Sequence, residues 1–399
     1  MSWEMKRIGE VCDVIPGFAF NSKDLGETGV PVVKIGNITD DYRVDINSIQ
    51  CFPEDLITEK HEKFMLSNYD ILIAMTGATA GKVGRIRCSE EQILLLNQRV
   101  AKFRPRDINP NFFWSAISTP RYRTIFYQLG GGAAQPNMSG TQIEDIEIPY
   151  PPPAVQDRIA SILSAYDDLV ENNRRRIQLL EQAARLLYKE WFVHLRFPGH
   201  EDVKIRDSVP EGWEKKPLSA LCTDIRESIH PKDISPDVPY IGLEHIPRRS
   251  ITLESWGTAV EVGSSKFRFL EGDILFGKIR PYFHKVGFTL LEGITSSDAI
   301  VIRPMKKCLY FYVLSLLASD GFVALASKTV REGSKMPRAD WNFLLKSEFK
   351  VPSKAILGLF NEKMSPICSQ LRTLALHNRK LGRSRDLLLP RLMNGEITI

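Results

Sequence analysis

Asp70-Ile71-Leu72-Ile73-Ala74-Met75, passing through a glycine turn to Lys82-Val83-Gly84, is met again as Asp273-Ile274-Leu275-Phe276-Gly277 passing to Lys285-Val286-Gly287 with the same internal spacing. Around this string the rest of the chain also repeats, at an offset of about 200 residues. Trp3-Glu4 with Cys12 returns as Trp213-Glu214 with Cys222, and Arg104-Pro105 returns as Arg303-Pro304. Each copy ends in a long amphipathic stretch, Pro153 to Phe192 and Ala355 to Met393. Solenoid units recur every 20–50 residues or so, so this spacing describes a duplicated domain-plus-helix. A duplicated reader suits a target with two separate halves.

The chain has 399 residues, more than one hydrophobic core usually holds, and two or more domains are expected. With 43% hydrophobic and 25% charged residues it has the composition of a globular protein. A formal charge of +5 is too mild to show a nucleic-acid partner by itself. Lys82, Arg85, Arg87, Arg99, Lys102, Arg104, Arg106, Arg121 and Arg123 face only Glu90, Glu91 and Asp107 in sequence. That run reads either as a basic face or as a solvated surface. The six cysteines are scattered singly and form no Cys-x-x-Cys pair, which argues against a zinc ribbon or redox motif. Cys12 and Cys222 read as matching core residues. The start is no signal peptide and no apolar run approaches the roughly 18 residues needed to span a bilayer, so a cytoplasmic protein without membrane partners is expected.

Residues 30–35, 70–75 and 99–103 have the β-rich composition of strands, and one helix is expected from Pro110 to about Tyr127. The segment from Gly130 to Asn137 reads as loop. The pattern is α+β rather than a regular βαβ alternation. After Pro149-Tyr150-Pro151-Pro152-Pro153, core-type residues fall at Ile159, Leu163, Tyr166, Val170, Asn173, Ile177, Leu180, Ala184, Leu187 and Trp191, a heptad seam. Some 40 residues at 1.5 Å each give a rod of roughly 60 Å. The second copy has its own seam, Phe360, Met364, Ile367, Leu371, Leu374, Asn378, Leu381, Leu388 and Leu392, with Arg385 in place of a hydrophobe. Each seam carries one asparagine, a residue that costs stability and fixes register when buried. The two helices are therefore expected to pair with each other, antiparallel under a pseudo-two-fold axis, with each helix packing on its own domain as the alternative.

Several strings tempt an enzymatic reading. Gly77-Ala78-Thr79-Ala80-Gly81-Lys82-Val83-Gly84 has too few residues between its glycines for a phosphate-binding P-loop, and valine follows the lysine. A tight turn is expected there, with close approach to a phosphate as the alternative. Asn109-Pro110-Asn111-Phe112 departs from the Asn-Pro-Pro-Phe/Tyr of adenine methyltransferases at its third residue. The seven histidines show no metal spacing. What remains is a binding constellation. Lys278-Ile279-Arg280-Pro281-Tyr282-Phe283-His284-Lys285 interleaves cations and aromatics in the loop equivalent to residues 75–82. The loops 130–140 and 331–338 also correspond, and contain Gln135, Asn137, Lys335 and Arg338. Arginine and lysine can read guanine edges, while asparagine and glutamine suit adenine.

Three further strings resemble those of the specificity subunit of type I restriction-modification systems. The first is Pro151-Pro152-Pro153-Ala154-Val155-Gln156-Asp157-Arg158-Ile159-Ala160, leading to Asn173-Arg174-Arg175-Arg176-Ile177, Trp191-Phe192-Val193 and Arg196-Phe197-Pro198-Gly199-His200. The second is Pro210-Glu211-Gly212-Trp213, and the third runs from Leu388-Leu389-Pro390-Arg391 to Ile397. The resemblance implies two target-recognition domains, each binding one half of a split asymmetric DNA site. It also implies two helices that form an antiparallel coiled coil, set the gap between the halves and dock two methyltransferase subunits. S-adenosylmethionine would sit on those subunits, and ATP and magnesium on a separate restriction-translocase, so the chain itself is expected to be non-catalytic and to carry no metal. The second copy, Pro352-Ser353-Lys354-Ala355-Ile356, lacks the Pro-Pro and Gln of residues 151–156.

The expected fold is therefore α+β, with two similar α/β target-recognition domains separated by a long antiparallel two-helix coiled coil in a pseudo-two-fold repeat. Residues 1–152 and 198–353 would be the domains, and 153–197 and 354–399 the spacer helices. Candidate DNA contacts are Lys82, Arg85, Arg87, Gln135 and Asn137 in the first domain, and Lys278, Arg280, Tyr282, Lys285, Lys335 and Arg338 in the second. Ile177, Leu180, Leu187, Trp191, Leu381, Leu388 and Leu392 are expected to hold the helix pair or the methyltransferase. The rival readings are the specificity subunit of a fused type II-like system, a solo methyltransferase-like enzyme and a coiled-coil scaffold with no DNA role.

Overall fold

Short runs of β-branched and aliphatic residues, cut by glycine and proline, cannot bury both faces in one small sheet, and each copy solves this with two sheets. A computed structural model describes residues 3–46, 49–130, 137–261, 263–330 and 336–397. The chain divides into two units, residues 1–168 with 383–399, and residues 169–382. In the first, four antiparallel strands lie in the order Cys12–Pro16, Val100–Pro105, Ile71–Ala74, Val83–Arg85. In the second, Cys222–Ile225, Ala299–Pro304, Ile274–Gly277 and Val286–Phe288 take the same order. The registers agree as well. Cys12 faces Pro105 and Cys222 faces Pro304, while Ile71 faces Arg85 and Ile274 faces Phe288.

A second sheet in each unit contains one parallel pair, Val30–Val33 with Leu94–Leu96 and Pro239–Ile241 with Gly293–Thr295. The glycine of each Lys-Val-Gly string is required by packing. A Cβ on Gly84 would lie 2.8 Å from the Arg43 carbonyl oxygen, and one on Gly287 would lie 2.7 Å from that of Ile251. Cys12 and Cys222 are buried at matching places, and burial pushes both thiols up to about 12, as befits core residues rather than reactive ones.

The expected single helix from Pro110 to Tyr127 is two helices, Pro110–Ile117 and Pro120–Leu129. Pro120 has no N–H to continue the first and holds Thr119 in extended backbone. Thr119 then caps the second helix by accepting from the Tyr122 amide. Tyr310–Leu317 and Asp320–Lys328 repeat the arrangement, with Ser319 as the cap.

The long helices span Pro153–Tyr188, continued by a wider π turn at Lys189–Val193, and Lys354–Met393. Within the second unit their seams face each other. Asn173 donates to Asn378 at 3.0 Å, and the rings of Trp191 and Phe360 lie 5.8 Å apart. Trp191 is 18 residues after Asn173 while Phe360 is 18 residues before Asn378, so the pair is antiparallel and in constant register. Ile177, Ala184, Met364, Leu371 and Leu374 fill the seam. In the first unit Ile159, Leu163, Leu389, Leu392 and Met393 join the core of the domain, and Arg385, the polar interruption of the seam, meets Asp167 at 2.6 Å. Among the described residues no single helix is long and apolar enough to cross a membrane.

Candidate nucleic-acid interface

Each unit brings three separate loops together at one end of its antiparallel sheet. In the first, the Met75 amide donates to the Arg99 carbonyl at 2.9 Å, the Met138 amide donates to the Met75 carbonyl at 2.9 Å, and Thr76 bridges Asn137. In the second, the Lys278 amide donates to the Asp298 carbonyl at 3.0 Å, the Ala339 amide to the Lys278 carbonyl at 2.9 Å, and Ile279 bridges Arg338. The loops picked out by the repeat are thus neighbours in space in both copies. The third loop of each trio, with Gln98 and Arg99 or Asp298, is a site element that sequence reasoning missed. The only signal for it was its place just before the repeated Arg-Pro strand.

The two platforms share a backbone and differ in side chains. Residues 77–79, Gly-Ala-Thr, form one 3-10 turn in the first unit, where Gly77 and Gly81 adopt the left-handed backbone that glycine tolerates. Its counterpart Pro281–Phe283 is bracketed by two non-glycine left-handed residues, Arg280 with φ 48° and His284 with φ 55°. Such conformations cost about 1–3 kcal/mol each and persist where the surroundings impose them. Here the Arg280 amide donates to the Pro337 carbonyl at 2.8 Å, and the His284 Nε2 lies 2.6 Å from the Ala318 carbonyl. Tyr282 is consequently presented to solvent, 55% exposed.

The cations sort into committed and uncommitted groups. Lys82 pairs with Asp40 at 3.0 Å, and Arg123 binds the same carboxylate, which the two cations hold below the usual carboxylate range. Arg85 is 5% exposed, donates to the Tyr69 carbonyl and the Asn111 side chain, and has its pKa lowered to about 10 by burial. These bonds brace the domain from within. Arg87 pairs with Asp168 at 3.3 Å and stacks on Tyr69. Lys102 meets Asp70, while Arg104 and Arg106 share Asp13. Six of the nine cations of the run thus pair with four carboxylates distant in sequence rather than standing free.

In the second unit Lys278 is half-buried, with burial drawing its ammonium below the usual lysine range. Lys285 donates to the Leu243 carbonyl, and Arg338 pairs with Asp298 at 3.2 Å. Arg280 is exposed, as is Asn137 in the first unit. Gln135 and Lys335 lie outside the described residues. Of the helix positions, Ile177, Trp191 and Leu392 are buried, and Leu180, Leu187, Leu381 and Leu388 are half-buried.

The strings that tempted other readings have structural work. Asn109 caps its helix by accepting from the amides of Asn111 and Phe112, and its side-chain amide donates to Asp157 at 2.8 Å. Gln156 is buried, accepts from the Asn109 amide and donates to the Pro151 carbonyl. These bonds seat the first long helix on its domain. At the other end of that helix, Phe192 packs against Trp213, Tyr312 and Phe360 with centroids 4.8–5.8 Å away, which joins the Trp191-Phe192-Val193 and Pro210-Glu211-Gly212-Trp213 strings in one aromatic cluster. Among the described residues no group of three or more His, Cys, Asp or Glu side chains could hold a metal ion.

Residues 1–182 match the model of the type I restriction modification DNA specificity domain. The chain is 24% identical over 329 residues to the specificity subunit of type I restriction enzyme MjaIX of Methanocaldococcus jannaschii, covering 77% of this chain and 73% of that one. It is 21% identical over 330 residues to the HindI specificity subunit of Haemophilus influenzae, covering 66% of this chain and 71% of the relative. The crystal structure of a type I restriction-modification S subunit from M. genitalium superposes with a TM-score of 0.58 at 14% identity, over 98% of this chain and 96% of that one.

Proposed function

We propose that the chain is a specificity subunit of a type I restriction-modification system, supported by the matching domain model and relatives, and that it is the sequence-specific, non-catalytic DNA reader of such a complex. Each unit reads one half of a split asymmetric site. The observation that carries this reading is one scaffold present twice, with equal strand order and register, whose converging loops differ in nearly every side chain. A repeated enzyme would keep its reacting groups in both copies. A repeated reader keeps the framework and changes the loops.

The reading loops offer Asn137 in one unit and Lys278, Arg280, Tyr282 and Arg338 in the other, groups suited to base edges and phosphates. Lys82, Arg87 and Lys285 are held by protein partners in the free chain and would contact phosphate only by exchanging them. Gln135 and Lys335 complete the proposed set. The long helices act as the spacer between half-sites and dock two methyltransferase subunits, which supply S-adenosylmethionine and the methyl transfer; a restriction-translocase joins the same complex. Exchanging residues 198–353 for the corresponding domain of another specificity subunit tests the division of labour. One half of the methylated motif should change and the other remain. A motif altered in both halves, or in neither, would contradict it.

A further inference from the structure

Three arms of the second reading platform meet at one aromatic ring. The Arg248 guanidinium lies over Phe283 at 4.0 Å from its centroid, Arg280 lies over the same ring at 5.8 Å, and Tyr282 packs edge-on at 4.9 Å. Stacking of this kind fixes the plane of a guanidinium while leaving its N–H donors free. Among the described residues neither arginine has a carboxylate within ion-pair distance. Other arginines of this unit do: Arg226 pairs with Asp224, Arg249 with Asp320, Arg338 with Asp298 and Arg303 with Asp273.

The segment that packs on each Lys-Val-Gly strand carries Asp40 in the first unit and Arg248 in the second, each three residues before the carbonyl that Gly84 or Gly287 faces. In the first unit Asp40 binds Lys82 and Arg123. In the second, Lys285 matches Lys82 and Val323 matches Arg123 in the helix that follows the serine or threonine cap. Where the first unit sets a carboxylate beside Lys82, the second sets the Arg248 guanidinium near Lys285; its positive charge adds to burial in drawing that ammonium down, with Glu244 opposing. Lys285 is engaged with the Leu243 carbonyl, whereas Arg248 is exposed and no carboxylate among the described residues claims its donors.

We propose that Arg248, stacked on Phe283 beside Arg280, reads a guanine in the half-site bound by the second unit, donating to guanine O6 and N7 in the major groove. This deepens the proposed DNA-reading function and rests on it. Phe283 is a positioning residue, since it holds the guanidinium without touching the base. Guanine O6 and N7 form the acceptor pair that a planar guanidinium matches, and a phosphate offers a similar pair without sequence information. The two sources differ in what their loss does to specificity.

The full chain, co-purified with its methyltransferase subunits, is used to select duplexes from a pool with randomised positions, beside the variants R248Q and F283L. The wild type should enrich an invariant guanine in one half-site. R248Q should lose that guanine from the selected sequence while the other half stays unchanged, and F283L should weaken the same position. Replacing that guanine by 7-deazaguanine in the selected duplex should weaken wild-type binding about tenfold and leave R248Q unaffected. If R248Q selects the same sequence and loses affinity equally for all duplexes with a shallower salt dependence, the residue contacts phosphate and the inference is overturned. If the wild type enriches no sequence, the DNA-reading function itself fails and this assignment with it. If the wild type enriches a split motif with no guanine in either half, the assignment alone fails.

Discussion

Asn173 and Asn378 meet inside the helix seam, with Nδ2 of Asn173 donating to Oδ1 of Asn378 at 3.0 Å and both side chains 8% exposed. The Nδ2 of Asn378 has no partner of its own among the described residues. A half-satisfied amide pair in an apolar seam is weak glue, and what it offers instead is registration. Sliding one helix by a heptad would separate the two asparagines, setting Asn173 against Leu371 in one direction or Asn378 against Leu180 in the other, and break the pair.

Replacing Asn378 alone by alanine should therefore destabilise the second unit by about 1–3 kcal/mol, because it strands the Asn173 amide. Replacing both by leucine should restore or exceed wild-type stability and relax the register. Chemical denaturation gives the first result, and cysteine cross-linking across the seam gives the second. A double variant less stable than either single one would contradict this account of the pair.

Arg85 supplies a test of the first unit's electrostatics. R85M should lower stability by about 1–3 kcal/mol through the lost bonds to Asn111 and Tyr69. The salt dependence of DNA binding should be unchanged. A shallower salt slope with intact stability would return Arg85 to the DNA-contacting set.

The spacer role predicts a geometric effect. Adding seven residues to each long helix preserves the heptad seam and lengthens it by roughly 10 Å. The preferred gap between half-sites should then grow by about three base pairs. An unchanged gap in the methylated motif would exclude the helices as the ruler.

His284 makes the second reading loop acid-sensitive. Burial holds its imidazole below the ordinary value of 6.5, Arg249 and Arg185 act in the same direction, and Asp320 and the Ala318 carbonyl oppose them. A base with a depressed folded-state pKa contributes stability that is present above its unfolded pKa and lost as pH falls through the folded one. Stability of the second unit should thus fall as pH drops below 6.5, with His245, also depressed by burial, contributing its share. H284N should remove part of that slope, measured as denaturation midpoint against pH. An identical slope in wild type and variant would show that His284 is not the titrating group.

Much of the scaffold was legible because it depends on local pattern. The repeated Asp-Ile-Leu and Lys-Val-Gly strings are paired strands in both units, and the 3-4 spacing of apolar residues makes the helix seam. The helix break at Pro120 was missed because the amphipathic pattern runs on through it, although the proline cannot. Ion-pair partners were least legible where charge was counted along the chain. Arg87 finds Asp168, Arg104 finds Asp13 and Lys82 finds Asp40, and none of these partners is visible without the fold. Arg248 was invisible for the opposite reason. Only the fold, which shows its segment and that of Asp40 packing on equivalent strands, reveals a cation in the second unit where the first has an acid.

The central claim is that this chain alone chooses where its complex methylates. The direct measurement is a genome-wide map of methylated adenines in cells expressing the methyltransferase subunit of its own operon, with and without this chain. A single motif of two short defined halves flanking an undefined gap, present only with the chain, is the predicted result. Methylation at the same sites in its absence, or a stable complex with no motif, would contradict the claim and favour a scaffold without a DNA-reading role.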